Sequence, residues 1–231
     1  MTRLRSLVAL LLLATTALAD FDIVVEPTHP ITKNIRFVVD VSGSMSDKRL
    51  TAAISTVLSL AEQPIDELQI ALITFDTDHQ TWIGKPDPDA YRPVPPGWAQ
   101  LPDPELVGDN GALAVFIRGN LKTGGTNPQS AIREAIDDRK DLTVVVITDG
   151  EFPPASLVGI PAYQAARIAK NLDPAELVFY GVVEEFEQDV SINDRFKEFA
   201  KEFGGSYLRH REPPIELPEP VPFDVPGLSP Y

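Results

Sequence analysis

Three oxygen-bearing side chains alternate in the run Asp40-Val41-Ser42-Gly43-Ser44. At that spacing one extended or turning segment can aim Asp40, Ser42 and Ser44 the same way. A carboxylate with two hydroxyls is a hard donor set, suited to Mg²⁺ (or Mn²⁺/Ca²⁺) and poorly suited to a soft metal. Two later stretches carry matching chemistry. Gly124-Gly125-Thr126-Asn127 places a threonine in a glycine turn, and Thr148-Asp149-Gly150-Glu151 follows an apolar run with two carboxylates. Taken singly, Ser42, Ser44 and Thr126 are equally at home as turn or cap residues. Glu151 could act as a base toward a metal-bound water, or be a solvated loop carboxylate. The chain has no Cys, and its three His residues (His29, His79, His210) lie far apart in sequence. Thiolate sites are therefore excluded and a zinc cluster is not expected. No His, Lys or Cys is placed by the sequence to complete a catalytic set, and there is no P-loop.

Asp-x-Ser-x-Ser, then Thr in Gly-Gly-Thr, then Asp in Thr-Asp-Gly, in that order, resembles the von Willebrand factor A domain. That family's metal-ion-dependent adhesion site (MIDAS) uses these five positions, here Asp40, Ser42, Ser44, Thr126 and Asp149. The resemblance runs from roughly Ile35 to Arg209. It implies that Ser42 and Ser44 bind the ion directly, that Asp40 and Asp149 often act through water, and that Thr126 joins when ligand is bound. The function it implies is a divalent-metal-dependent protein-binding module, not an enzyme, whose ion is completed by an Asp or Glu carboxylate of a partner protein. Two other readings are a scaffold whose metal site is only structural and a metal-dependent hydrolase using Glu151. One family feature is not carried over. Integrin inserted domains end in a sliding helix after the last strand, whereas here Ser206–Arg209 runs into Glu212-Pro213-Pro214, and proline forbids a continuous helix.

These residues need a frame, and the apolar pattern supplies one. Ile35 to Val39 and Leu142 to Ile147 read as buried strands ending at Asp40 and Asp149. Between them, Lys48 to Glu62 carries the helical stripe Leu50, Ile54, Val57, Leu58 and Ala61, with Ser46 or Asp47 as its cap. Leu68 to Phe75 is a strand, and Gln80 to Ile83 a short one that returns after the turn Asp76-Thr77-Asp78-His79. That acidic turn could hold a second cation, although acidic turns are commonly just solvated. Ala112 to Ile117 reads as a short helix. Asn127-Pro128 opens another, with Ala131, Ile132, Ala135 and Ile136 buried. Pro161 opens a helix ending near Leu172, and Leu177 to Val183 is a strand. A helix striped by Ile192, Phe196, Phe199, Ala200 and Phe203 stops at Gly204-Gly205, and Ser206 to Arg209 closes the series. Strands alternating with helices define an α/β fold: a doubly wound, mostly parallel central sheet, one short antiparallel edge strand, and helices on both faces. By the family order, Ile35–Val39 lies beside Leu142–Ile147, so Asp40 and Asp149 meet where the winding reverses.

The 231 residues, 43% hydrophobic, suit one domain with appendages. Residues 1–19 read as a secretory signal, with Arg3 and Arg5, an apolar core from Leu7 to Leu13 and the small-residue site Ala17-Leu18-Ala19. This points to a secreted or periplasmic protein with no transmembrane segment once the signal is removed. Residues 20–33 form an N-terminal arm, 34–211 the domain, and 85–104 a proline-rich insertion expected to be irregular and remote from the metal. Residues 212–231 form a proline-rich acidic tail whose Glu212, Glu216 and Glu219 leave on the metal side. A formal net charge of −14 makes nucleic acid and anionic membrane poor partners. The oligomeric state and the partner's identity are not legible.

Overall fold

A computed structural model describes residues 21–23, 32–45, 47–82, 97–108, 110–182, 190–203 and 206–210. The signal sequence, Ser46, Tyr91 and the rest of the insertion up to residue 96, Gly204-Gly205 and the acidic tail lie outside the described residues. Strands are β1 (Phe21–Ile23), β2 (Asn34–Asp40), β3 (Gln69–Phe75), β4 (His79–Thr81), β5 (Ala99–Gln100), β6 (Leu142–Thr148), β7 (Glu176–Gly181) and β8 (Ser206–His210). Helices are α1 (Asp47–Ala61), α2 (Ala112–Gly119), α3 (Gln129–Ala135), α4 (Ile160–Ile168) and α5 (Val190–Phe203).

One sheet runs β1-β8-β7-β6-β2-β3-β4. The strands β3, β2, β6, β7 and β8 are mutually parallel. From β2 the chain winds outward to β3, and from β6 it winds the other way to β7 and β8, so the direction reverses between β2 and β6. Both central strands are buried along their whole length, as continuous apolar runs must be when helices cover both sheet faces. Alternation then sorts the side chains. Ile35, Phe37 and Val39 face α1 and α2, packing with Leu50, Ile54, Val57, Leu113 and Ile117. Val38, Val144 and Val146 face the other layer, with Ala131 and Ile132 of α3, Ile160 of α4 and Phe196 and Phe199 of α5. No described helix is long and apolar enough to cross a membrane.

Strand β4 is the expected short antiparallel edge strand, paired with β3 from Phe75↔His79 to Ile73↔Thr81. Two more short antiparallel strands lie beyond the sequence expectation. In the stretch read as a connecting arm, Phe21–Ile23 adds to the far edge against β8. In the stretch read as an irregular insertion, Ala99–Gln100 pairs with the start of β3 through Gln69↔Gln100. This second pairing corrects the view of the insertion as wholly irregular. Trp98 and Leu101 are buried there. Because β5 meets the first residues of β3 and Asp40 faces the last, the described end of the insertion does sit at the pole opposite Asp40.

Arg167 of α4 is almost fully buried, and its guanidinium donates to the backbone carbonyls of Asp137, Arg139 (2.8 Å) and Asp173 (3.0 Å). It satisfies the loops that lead into β6 and β7. Arg167→Ala should lower the urea midpoint by the equivalent of about 3 kcal/mol with an unchanged slope, because stranded buried carbonyls are expensive. A midpoint within error of wild type would show that water replaces the guanidinium without cost.

Candidate metal centre

The turn after β2 is built around Asp40, which is wholly buried. Its Oδ1 accepts the Ser42 N–H at 2.9 Å, closing the turn on itself. Its Oδ2 accepts the Thr148 hydroxyl at 2.6 Å, which ties the end of β2 to the end of β6. The Ser42 and Ser44 hydroxyl oxygens lie 3.0 Å apart, so these two alternating residues aim at one point. Asp149, also buried, follows directly on β6. Its Oδ1 accepts the Glu151 N–H at 3.0 Å and its Oδ2 accepts Arg49 Nη1 at 2.8 Å.

The glycine turn is brought alongside by its backbone. Gly43 N–H donates to the Gly124 carbonyl at 3.3 Å, Lys122 N–H to Val41 at 3.0 Å, and Asn127 N–H to Asp76 at 2.6 Å. A Cβ on Gly124 would fall 2.8 Å from Asp76 Oδ2 and Thr77 Oγ1, so a larger residue there would push both side chains aside. Thr126 is half-buried in this loop. Among the described residues its hydroxyl makes no hydrogen bond to the other four positions. The structure therefore links Asp40, Ser42 and Ser44 within one turn, reaches Asp149 through Arg49 and the adjacent Thr148, and sets Thr126 beside them through the backbone of its loop.

Electrostatics at the cup are unfavourable to an ionised Asp40. Burial pushes the Asp40 carboxyl up to about 6, outweighing the hydrogen bonds from Thr148 and Ser42 that hold it down, and the Asp149 charge adds to the rise. Two buried carboxylates with the single guanidinium of Arg49 bonded to one of them, and two hydroxyls on neighbouring turns, make a set still net negative and rich in hard oxygen. That donor set fits a Mg²⁺-type ion. Among the described residues no group of three or more His, Cys, Asp or Glu is placed to hold a metal, so a cation here would draw on the hydroxyls as well as the carboxylates.

Two participants were not legible as such. Thr148 is the partner of Asp40, and Arg49 is the partner of Asp149. Arg49 sits in the first turn of α1, with its side chain 8% exposed, and also donates to the Ser44 carbonyl at 2.8 Å. A usable signal did exist: a cation in a helix's first turn opposes the helix dipole unless carboxylates lie near it. Glu151 stands 3.6 Å from the same guanidinium nitrogen with its side chain 52% exposed.

The acidic turn at Asp76 closes on itself, with Asp76 Oδ1 accepting the Asp78 N–H at 3.1 Å and Lys122 Nζ 3.7 Å away. The ring of its neighbour His79 is held on both sides. Its Nδ1 lies 3.0 Å from Ser130 Oγ and its Nε2 2.6 Å from Glu134 Oε2, while Thr81 donates to Glu134 Oε1 at 2.5 Å. These bonds fasten the edge strand β4 to α3.

No protein-family model and no curated protein matches the chain. Among solved structures, a von Willebrand factor type A protein from Catenulispora acidiphila is similar over 78% of this chain at 17% identity, with a TM-score of 0.48. The chain spans 38% of that protein's length.

Proposed function

We propose that this chain is a von Willebrand factor A-type module that uses Asp40, Ser42, Ser44, Thr126 and Asp149 as a metal-ion-dependent adhesion site. The observation that carries the reading is the meeting of Asp40, Ser42, Ser44 and Asp149 at the point where the sheet's winding reverses, the usual ligand crevice of such folds. Ser42 and Ser44 would contribute neutral oxygens, and Asp40 and Asp149 the balancing charge. A bound Mg²⁺ (or Mn²⁺/Ca²⁺) would supply an electrophilic position for an Asp or Glu carboxylate of a partner protein. Thr148 and the Ser42 N–H hold Asp40 in place for this, and the Glu151 N–H holds Asp149.

The role is binding rather than reaction. Glu151, the residue a hydrolytic reading needs as base, is exposed and lies near Arg49. We further propose that residues 1–19 direct the chain to the extracellular or periplasmic space, where the partner is met. The test is a pull-down from that fraction by the mature chain in Mg²⁺ and in EDTA. A partner retained in Mg²⁺ and released by EDTA or by Asp149→Ala is expected. Retention that ignores both would overturn the adhesion-site reading.

A further inference from the structure

Arg49 places a positive charge inside the cup, on the carboxylate that a cation would need. It is buried at the positive end of α1, where a guanidinium is disfavoured both by desolvation and by the helix dipole. Its partners explain why it stays. One nitrogen reaches both the Ser44 carbonyl and Asp149 Oδ2 at 2.8 Å, spanning the first and third motifs. Asp149 Oδ1 is already committed to the Glu151 N–H. Of the two bonds on Asp149, the one from Arg49 is the one a side-chain rotation can release. Glu151 Oε1, 3.6 Å away and half exposed, offers the guanidinium somewhere to go.

We propose that Arg49 is a built-in competitor for the metal site. It neutralises Asp149 in the metal-free protein and yields toward Glu151 when a divalent cation enters. The inference rests on the metal-site reading above and adds regulation to it. A guanidinium and a divalent ion sharing one carboxylate repel each other across a few ångströms, in a setting where solvent screens little. Occupancy is thereby kept below what the oxygen set alone would give, so the site fills or empties with the surrounding cation concentration.

The experiment is calorimetric titration of the full chain with Mg²⁺ and with Mn²⁺, for wild type, Arg49→Gln and Arg49→Lys. Loss of the charge in Arg49→Gln should tighten Kd by ~10-fold or more. Arg49→Lys keeps the charge at the end of a shorter, non-planar head, and should stay within about threefold of wild type. A purely structural Arg49 predicts the opposite order, with both variants weaker than wild type. Kd unchanged or weaker in Arg49→Gln, or a lysine variant as tight as the glutamine one, overturns the proposal. Should Arg49→Gln not fold without metal, the wild-type chain decides. Its Arg49 guanidinium ¹⁵N–¹H signal, assigned through Arg49→Lys, should shift and broaden on Mg²⁺ saturation; a signal unmoved at saturation overturns the proposal. The two readings fail separately. Binding by wild type with no Arg49 effect removes only this inference, whereas no binding by wild type or variants removes both.

Discussion

Asp40→Asn is expected to raise the melting temperature of the metal-free protein at pH 7 and to erase its response to Mg²⁺. The two effects have one origin. Asp40 is wholly buried, and its carboxyl titrates near about 6 in the folded protein against 3.8 ordinarily. The folded state therefore holds a proton that the unfolded chain releases earlier. The benefit of that proton is fully present below 3.8 and is lost as the pH rises through about 6. At pH 7 the ionised side chain costs the metal-free fold on the order of 3 kcal/mol. The charges around it are Asp149 and, bonded to Asp149, Arg49 with Glu151 beside it. Asparagine keeps an oxygen for the Ser42 N–H and turns an N–H₂ toward Thr148, but the Thr148 proton then needs another acceptor. A net gain of about 2 kcal/mol remains, or roughly 4–8 °C for a chain of this size. The gain should vanish near pH 4. Melts at pH 4 and 7, with and without Mg²⁺, check all of this. An asparagine variant that Mg²⁺ still stabilises would sink the metal assignment, and one that is less stable at pH 7 would sink the electrostatic account. Failure of the metal-free variant to fold would favour a purely structural role for the site.

The parts of the fold that were legible are those whose cause is local. Ile35–Val39 and Leu142–Ile147 read as central strands because a strand buried on both faces is mostly apolar, and both are buried throughout, with Arg36 and Thr143 as their polar exceptions. The stripe on α1 was legible for the same reason. The clustering of the candidate site's first three oxygen groups was legible because Asp40, Ser42 and Ser44 share one turn. What escaped was set by distant pairing. Three residues, Phe21–Ile23, become a strand only because β8 presents a free edge to them; nothing in their own run demands it. Arg49 reads as a solvated helix residue until Asp149 is brought beside it. Thr148 reads as the polar end of a strand until β6 docks on β2 and its hydroxyl finds Asp40. In each case the residue's role is fixed by a partner from another element, and periodicity carries no record of that.

Trp98 shows the same principle with the largest expected effect on stability. Trp98→Ala should lower stability by about 4 kcal/mol, or a fall of roughly 8–16 °C, while leaving the Mg²⁺ response intact. Trp98 is 4% exposed and its ring lies against two cations, with Arg139 Cζ 4.0 Å and Arg36 Cζ 4.7 Å from its centroid. Arg36 is held by Asp137 and the Glu134 carbonyl, each at 2.8 Å, and Arg139 by Asn34 (3.2 Å) and Gln69. Burial alone drives the Arg36 pKa down, against the pull of Asp137 and Glu134. Removing the ring takes away buried apolar area, opens a cavity against α3, and strips both guanidiniums of a favourable face. Trp98→Phe keeps a smaller ring in the same slot and should recover about half of the loss. Position explains why metal binding should survive. Trp98 precedes β5, which joins the sheet at Gln69 and Ile70, whereas Asp40 stands opposite Phe75 at the other end of β3. Thermal melts of both variants in Mg²⁺ and in EDTA decide the matter. A loss under about 1 kcal/mol would mean that the ring is padding that water or neighbouring side chains replace. A folded Trp98→Ala protein that no longer responds to Mg²⁺ would mean that the two poles are coupled through β2 and β3.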